Sequence, residues 1–250
     1  SLVGSEMCIR DRHYGKDGCN RHVLIDECRE LFGEIYEQIP ELPFCNIWTA
    51  MQLSSRLPKG ALFHMGVSNT RRCWNMFQLP ESVESACNVG CCGIDGCVST
   101  LVGASLVNPD RLCYVVVGDL TFFYDLNSLG NHHIGTNLRV MLVNNGRGTE
   151  FRLGIHHCNV FGDDADKYMA AAGHFGNKSP LLVKHYAEDL GFHYLSATTK
   201  EEFMTALSNF TNPQLSDHSM ILEVFTDSKD ESEALYLMSH IQSDAKGMVR

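Results

Sequence analysis

Apolar residues recur along this chain with two different spacings. Near the start, Val23, Leu24, Cys28, Leu31, Ile35 and Ile39 fall three or four apart, the period of one helix face, and Pro40 closes the run. A connector over 41–44 leads to a second helical pattern over 46–57, stopped by Pro58 and Gly60. Beyond that point short runs of Val, Ile and Leu alternate with longer helical stretches. The predicted strands cover 61–65, 83–87, 112–117, 138–143, 194–195 and 220–225. The predicted helices between them cover 70–77, 95–107, 122–129, 165–172, 180–190 and 200–210. Nearly continuous apolar strands separated by helices are the mark of a parallel sheet covered on both faces. The fold class expected is therefore α/β, a doubly wound, mostly parallel sheet flanked by helices.

Composition narrows the picture without changing it. The 250 residues are 44% hydrophobic and 20% charged, which excludes a disordered or collagen-like chain. A chain of this size hides roughly 75% of its unfolded surface, enough for a substantial core. The balance of 20 basic against 30 acidic residues gives a net charge of −10. With no basic stripe, nucleic acid is not an expected partner. No apolar run approaches the ~18 residues that span a bilayer, so no membrane partner is expected, and a cytoplasmic location is. The 11 cysteines form no paired C-x-x-C knuckles, so reduced thiols are expected rather than a disulfide framework or a zinc site. Residues 1–12 read as translated sequencing-adapter sequence and are set apart from fold reasoning. The remaining organisation expected is a linker or tail of a preceding domain over 13–45, the main domain over 46–230 and a C-terminal tail over 231–250.

In such a sheet, ligands bind beyond the carboxyl ends of the strands. Strand 112–117 ends in Gly118-Asp119, and strand 138–143 ends in Asn144-Asn145-Gly146-Arg147-Gly148. If these strands are neighbours, a carboxylate and a side-chain amide converge at one edge. Asp119, the Asn145 amide oxygen and a carbonyl of the Gly-rich turn make an oxygen donor set, which suits magnesium bound together with diphosphate oxygens. Two further turns face the same edge: Gly66-Val67-Ser68-Asn69, and Gly90-Cys91-Cys92-Gly93-Ile94-Asp95-Gly96 before a helix. Their glycines allow close backbone approach.

The step from Gly118-Asp119 to Asn144-Asn145 resembles the thiamine diphosphate fingerprint, and the string from Gly118 to Asn127 resembles one branch of it. That branch is the menaquinone-pathway synthase that joins a decarboxylated 2-oxoglutarate unit to isochorismate, with its acetolactate synthase and pyruvate decarboxylase relatives. Gly93-Ile94-Asp95-Gly96 followed by Ser99-Thr100 is similar to the same family. The resemblance covers about 46–226 and implies the C-terminal cofactor-binding domain of a three-domain enzyme.

It implies that Asp119, Asn145 and the Arg147 carbonyl hold magnesium, that Ser68, Leu120 and Thr121 contact the diphosphate, and that Gly118 and Gly148 also belong to the cofactor-binding set. Ile94 becomes the apolar wedge that bends the cofactor, with Gly93 and Asp95 beside the aminopyrimidine. It also implies a 2-oxoacid substrate with an acceptor, and a homo-oligomer when intact. The catalytic glutamate would come from the missing N-terminal domain or from a separate subunit. A chain lacking that half is expected not to turn over alone. A domain that has lost the cofactor and serves only as a dimerisation partner is the non-enzyme alternative.

The chain departs from the family pattern near the substrate. Arg72 matches a substrate-binding arginine after the Gly-x-Ser turn, but Val89 stands where a second arginine would be. An apolar pair after the Asn-Asn turn is here Glu150 and Phe151. Phe151 is therefore a substrate-binding candidate. Glu150 has two readings, an acid/base group or an ion-pair partner of Arg147 and Arg152. His132, His133, His156 and His157 are expected in loops, and Cys91 and Cys92 as small buried residues or oxidation-sensitive thiols.

Overall fold

In the computed structural model, residues 21–153, 156–168 and 179–245 are described. Residues 42–235 form one compact unit, and 1–41 with 236–250 form a second. Within the second unit, helix α1 (Arg21–Glu37) leaves Leu31, Phe32 and Tyr36 exposed.

The larger unit runs α2 (Asn46–Ser54), β1 (Leu62–Met65), α3 (Asn69–Trp74), β2 (Glu84–Cys87), α4 (Cys97–Val107), β3 (Cys113–Gly118) and α5 (Asp119–Asp125). After β4 (Leu138–Asn144) and a helical turn at Ala165–Tyr168 come α6 (Leu182–Asp189), β5 (His193–Ala197), α7 (Lys200–Phe210), β6 (Met220–Phe225) and the first part of α8 (Ser228–Ala245), whose residues from Tyr236 on belong to the other unit. The six strands lie in the order β2-β1-β3-β4-β6-β5, and every pairing is parallel. All seven residues of β4 are buried, which is why its sequence reads as one apolar run rather than an alternation.

Both faces of the sheet are covered. Val115 and Val117 of β3 pack with Val98, Leu101 and Val102 of α4, while Tyr114 points to the other face and meets Phe210 edge-on at 5.5 Å. Its hydroxyl donates to the Phe210 carbonyl at 3.1 Å, which satisfies the one polar atom on a buried ring. Helix α7 shows how local sequence sets an element. The Thr199 hydroxyl accepts from Glu202 N at 3.2 Å, the Glu202 carboxylate reaches back to Thr198 N at 2.7 Å, and Phe203, Ala206, Leu207 and Phe210 form the buried face.

The elements differ from the sequence expectation at two places, and one further expected helix is described only in part. The segment expected as helix over 122–129 is a helix starting at Asp119 that tightens into a 3-10 turn at Leu126–Gly130. The segment expected over 165–172 is helical at Ala165–Tyr168, and the rest lies outside the described residues, as do 1–20. Helix α8 runs through the stretch expected as a tail, with Glu231 and Ala234 buried on it. Two acids in its first turn favour its start, and its polar surface positions hide its periodicity.

Candidate functional site

The chain leaves β1 for β2 on one side and returns to β3 on the other, so the crevice between the carboxyl ends of β1 and β3 is a topological switch point. Close approach is built in there. Gly66 N donates to the Val116 carbonyl at 2.7 Å, and a Cβ on Gly66 would sit 3.2 Å from that oxygen. Two residues on, Ser68 has φ 61° and ψ −126°. A non-glycine residue held there costs about 1–3 kcal/mol and persists only where its surroundings impose it.

From β3 the chain turns through Gly118 into α5, so Asp119 is the first helical residue and is buried. Its Oδ1 accepts from Leu120 N at 2.9 Å. Strands β3 and β4 are neighbours, with Gly118 opposite Val143, and this brings the Asp119 and Asn145 turns side by side as the sequence reading required. The two asparagines have separate tasks. Asn144 turns into the sheet and donates to Glu223 Oε1 at 2.8 Å, while Tyr194 donates to Glu223 Oε2 at 2.8 Å. Asn145 lines the cavity, and its Oδ1 accepts from Arg147 N at 3.3 Å across a turn that Gly146 enters with φ 78°. The Arg147 carbonyl then accepts from Thr149 N at 3.0 Å.

These turns enclose a cavity of about 120 Å³. Of the residues singled out in the sequence, Ser68, Ile94, Gly118, Asp119, Leu120, Thr121, Asn145, Arg147, Gly148, Glu150 and Phe151 line it. Gly93, Asp95 and Arg72 do not line it. The Asp95 carboxylate folds over Gly93, where an added Cβ would come within 2.5 Å of it. A complete small-molecule site usually measures roughly 300–1,000 Å³, so this cavity is large enough for only part of such a ligand.

The lining also includes Asn46 and Thr149, which sequence reasoning missed. Asn46 belongs to no motif. It is held by distant partners: its Oδ1 accepts from Trp74 Nε1 at 2.9 Å and its N donates to Glu231 Oε1 at 3.0 Å. Thr149 Oγ1 is buried without a hydrogen-bond partner among the described residues. An unsatisfied hydroxyl at the cavity wall, beside a carboxylate, an amide oxygen and a peptide carbonyl, is a donor set fitted to an oxygen-rich ligand and a hard cation. Among the described residues no group of three or more His, Cys, Asp or Glu side chains could hold a metal ion. The candidate cation site thus rests on one carboxylate with neutral oxygens.

Charge around the cavity differs from the expectation in one respect. Glu150 pairs with Arg72, a partner the sequence reading did not name: Arg72 Nη1 to Oε2 is 2.7 Å and Nη2 to Oε1 is 2.8 Å. The turn over Thr149–Arg152 directs Glu150 toward α3, a contact between residues 78 apart that no local spacing reveals. The bond to Glu150 holds the Arg72 guanidinium even more firmly in its charged form. Behind the cavity, burial pushes the Glu231 carboxyl up to about 7; Thr226 and Asn46 donate to it and pull it down, while Asp230 and Asp119 push it further up.

The loop after β2 is a more open wall. Asn88 Nδ2 donates to the Gly96 carbonyl and to Thr100 Oγ1, each at 3.2 Å, and Asp125 Oδ2 accepts from Ser99 N at 2.7 Å. Cys91 and Cys92 are exposed, contrary to the buried default, because the loop that carries them leaves the sheet. His132 and His133 stack on each other at the surface, and His156 Nδ1 accepts from Cys158 N at 3.1 Å; none of them lines the cavity.

No family model matches the chain. Over 196 residues it is 34% identical to the 2-succinyl-5-enolpyruvyl-6-hydroxy-3-cyclohexene-1-carboxylate synthase of Bacteroides fragilis, covering 78% of this chain and 34% of that protein. The chain resembles this synthase. The protein of that name from Phocaeicola vulgatus is 34% identical over 200 residues, 79% of this chain and 34% of its own length. The one from Christiangramia forsetii is 33% identical over 199 residues, 80% of this chain and 33% of its own. The chain spans about a third of the length of the curated relatives it matches. Among the described residues no helix is long and apolar enough to cross a membrane.

Proposed function

We propose that the cavity at the β1/β3 switch point binds thiamine diphosphate with magnesium, and that the chain is the cofactor-binding part of a 2-oxoacid-decarboxylating carboligase. The observation that carries this reading is the convergence of Ser68, Ile94, Asp119, Thr121, Asn145 and Arg147 on one cavity from four separate strand ends. The names of the relatives, all one synthase, support the same class of chemistry.

In this reading Asp119, the Asn145 amide oxygen and the Arg147 carbonyl hold magnesium. Ser68, Gly118, Leu120, Thr121 and Gly148 face the diphosphate, and Thr149 Oγ1 acquires a partner there. Ile94 supplies an apolar wedge between the cofactor's rings, with Gly93 and Asp95 on the aminopyrimidine side. Arg72 and Phe151 stand on the substrate side. Bound thiamine diphosphate supplies an electron sink that lets a 2-oxoacid lose carbon dioxide and its acyl carbon join an acceptor. The residues of this chain bind and orient, while the proton-transfer glutamate implied by the family resemblance belongs to a partner domain or subunit. The enzyme is accordingly a homo-oligomer or a two-part assembly.

Calorimetry tests the reading directly. Thiamine diphosphate should bind the chain only with magnesium present, and Asp119→Ala should abolish that binding. Equal binding by both proteins, or binding indifferent to magnesium, would move the cofactor elsewhere.

A further inference from the structure

Among the described residues three ionisable side chains line the cavity, Asp119, Arg147 and Glu150, and two of them are acids. Glu150 stands next to Phe151 on the wall that faces α3, and its carboxylate is committed. Both of its oxygens meet the guanidinium fork of Arg72, at 2.7 and 2.8 Å. The side chains are 20% and 33% exposed, so the pair is partly withdrawn from water and is not a loose surface contact. A bidentate carboxylate–guanidinium contact is the strong form of this interaction, and the fork it occupies is the geometry that would otherwise receive a ligand carboxylate. Being intramolecular, it competes against any free acid at high effective concentration. An incoming carboxylate would also meet the charge of Glu150 before reaching Arg72.

We infer that Glu150 is a specificity residue: by occupying the Arg72 fork it turns this wall neutral and directs the site to 2-oxoacids with an uncharged chain, away from dicarboxylic ones. The inference rests on the reading that the Arg72–Phe151 side of the cavity receives substrate. Phe151 fits it, since an aromatic ring beside a neutralised pair offers contact to an apolar or hydroxylated chain and no anchor for a second carboxylate. Glu150 is therefore a positioning and selecting group in the ground state, and the arginine is held in reserve by it.

The test compares two small acids of similar length, glutarate with a second carboxylate and butyrate without one, by ligand-observed NMR titration of the full chain. Each titration is run with and without thiamine diphosphate and magnesium. The wild-type chain should show a glutarate-to-butyrate affinity ratio near one. Glu150→Gln should raise that ratio about tenfold or more, because the released guanidinium is free to take the second carboxylate. The double variant Glu150→Gln/Arg72→Met should return the ratio to the wild-type value, a reversal that a purely structural role for Glu150 would not produce. If the glutamine variant does not fold, Glu150→Asp, which shortens the acid and loosens the fork, should give a smaller rise in the same direction. An unchanged ratio in the single variant, or a wild-type chain that already prefers glutarate about tenfold, overturns the inference. Failure of the cofactor itself to bind would instead sink the cofactor reading, and the ratios measured without cofactor would still decide the role of Glu150.

Discussion

The two walls of the cavity are built on different physical terms. On the β3/β4 side, Asp119, Thr121 and Thr149 are buried at the ends of two strands in fixed register, and Asn144 beside them is held by Glu223, 79 positions away. On the β2 side, Glu84, Ser85 and Ala86 are exposed along the strand, the following loop exposes Val89, Cys91 and Cys92, and Ile94 is only half-buried. The first wall is preorganised by the fold itself. The second is tied mainly through Asn88 and lacks the burial that would hold an apolar side chain in one place. Charge recognition thus sits on rigid elements, and the wedge that would sort ring geometry sits on an edge.

The largest expected loss comes from breaking the rigid wall. Asn144→Ala withdraws the amide from the buried Glu223 carboxylate while the Tyr194 bond remains, and should destabilise the chain by about 3 kcal/mol in urea unfolding. Glu231 gives a comparable effect with a pH signature. Its folded-state value of about 7 lies above the ordinary glutamate value of 4.5, so the folded chain binds its proton more tightly than the unfolded chain does. Stability from this group is therefore fully present below 4.5 and is lost as pH rises through 7. Glu231→Gln keeps an oxygen for Asn46 N and Thr226 Oγ1 and should remove that loss, a gain on the order of 3 kcal/mol at pH 8 and none at pH 4. Burial holds His64 below the ordinary histidine range, so its contribution falls instead as pH drops below 6.5. The Glu231 variant should accordingly lose the alkaline slope of its thermal-melt profile and keep the acid one. A profile unchanged on the alkaline side would remove Glu231 from the account.

What the sequence made legible follows the same division. Strands β3, β4 and β6 stood out because buried parallel strands are continuous apolar runs, and the residues that end them, Gly118-Asp119 and Asn144-Asn145, are punctuated by turn chemistry. Their convergence required only that β3 and β4 be neighbours. Asn46, Thr149 and Glu231 were invisible because nothing local distinguishes them. Asn46 is a site residue only because Trp74 and Glu231 hold it, one of them 185 positions away. The Arg72–Glu150 pair was missed for the same reason: a contact between residues 78 apart leaves no trace in local spacing. Burial of Cys91 and Cys92 was expected from residue type alone, and an edge loop overrides that preference.

The edge wall answers to smaller perturbations. Asn88→Ala removes two hydrogen bonds from a half-buried position and should cost about 1 kcal/mol. Amide hydrogen exchange should speed up over 89–96 and stay unchanged in β3 and β4, because the loop opens without the sheet. Exchange that quickened equally across the sheet would mean that the two walls are one cooperative unit.

Ile94 separates stability from binding most cleanly. It is half-buried on a loop outside the core, so Ile94→Ala should change unfolding free energy by no more than about 0.5 kcal/mol. If the side chain is a wedge against the cofactor, the same substitution should weaken thiamine diphosphate binding about tenfold while leaving the binding of inorganic diphosphate with magnesium intact. The charged end would still find Asp119, Asn145 and the Arg147 carbonyl on the rigid wall. Equal weakening for both ligands would show that Ile94 acts through the shape of the charged pocket, and the distinction between a preorganised wall and a sorting edge would fail at the residue chosen to define it.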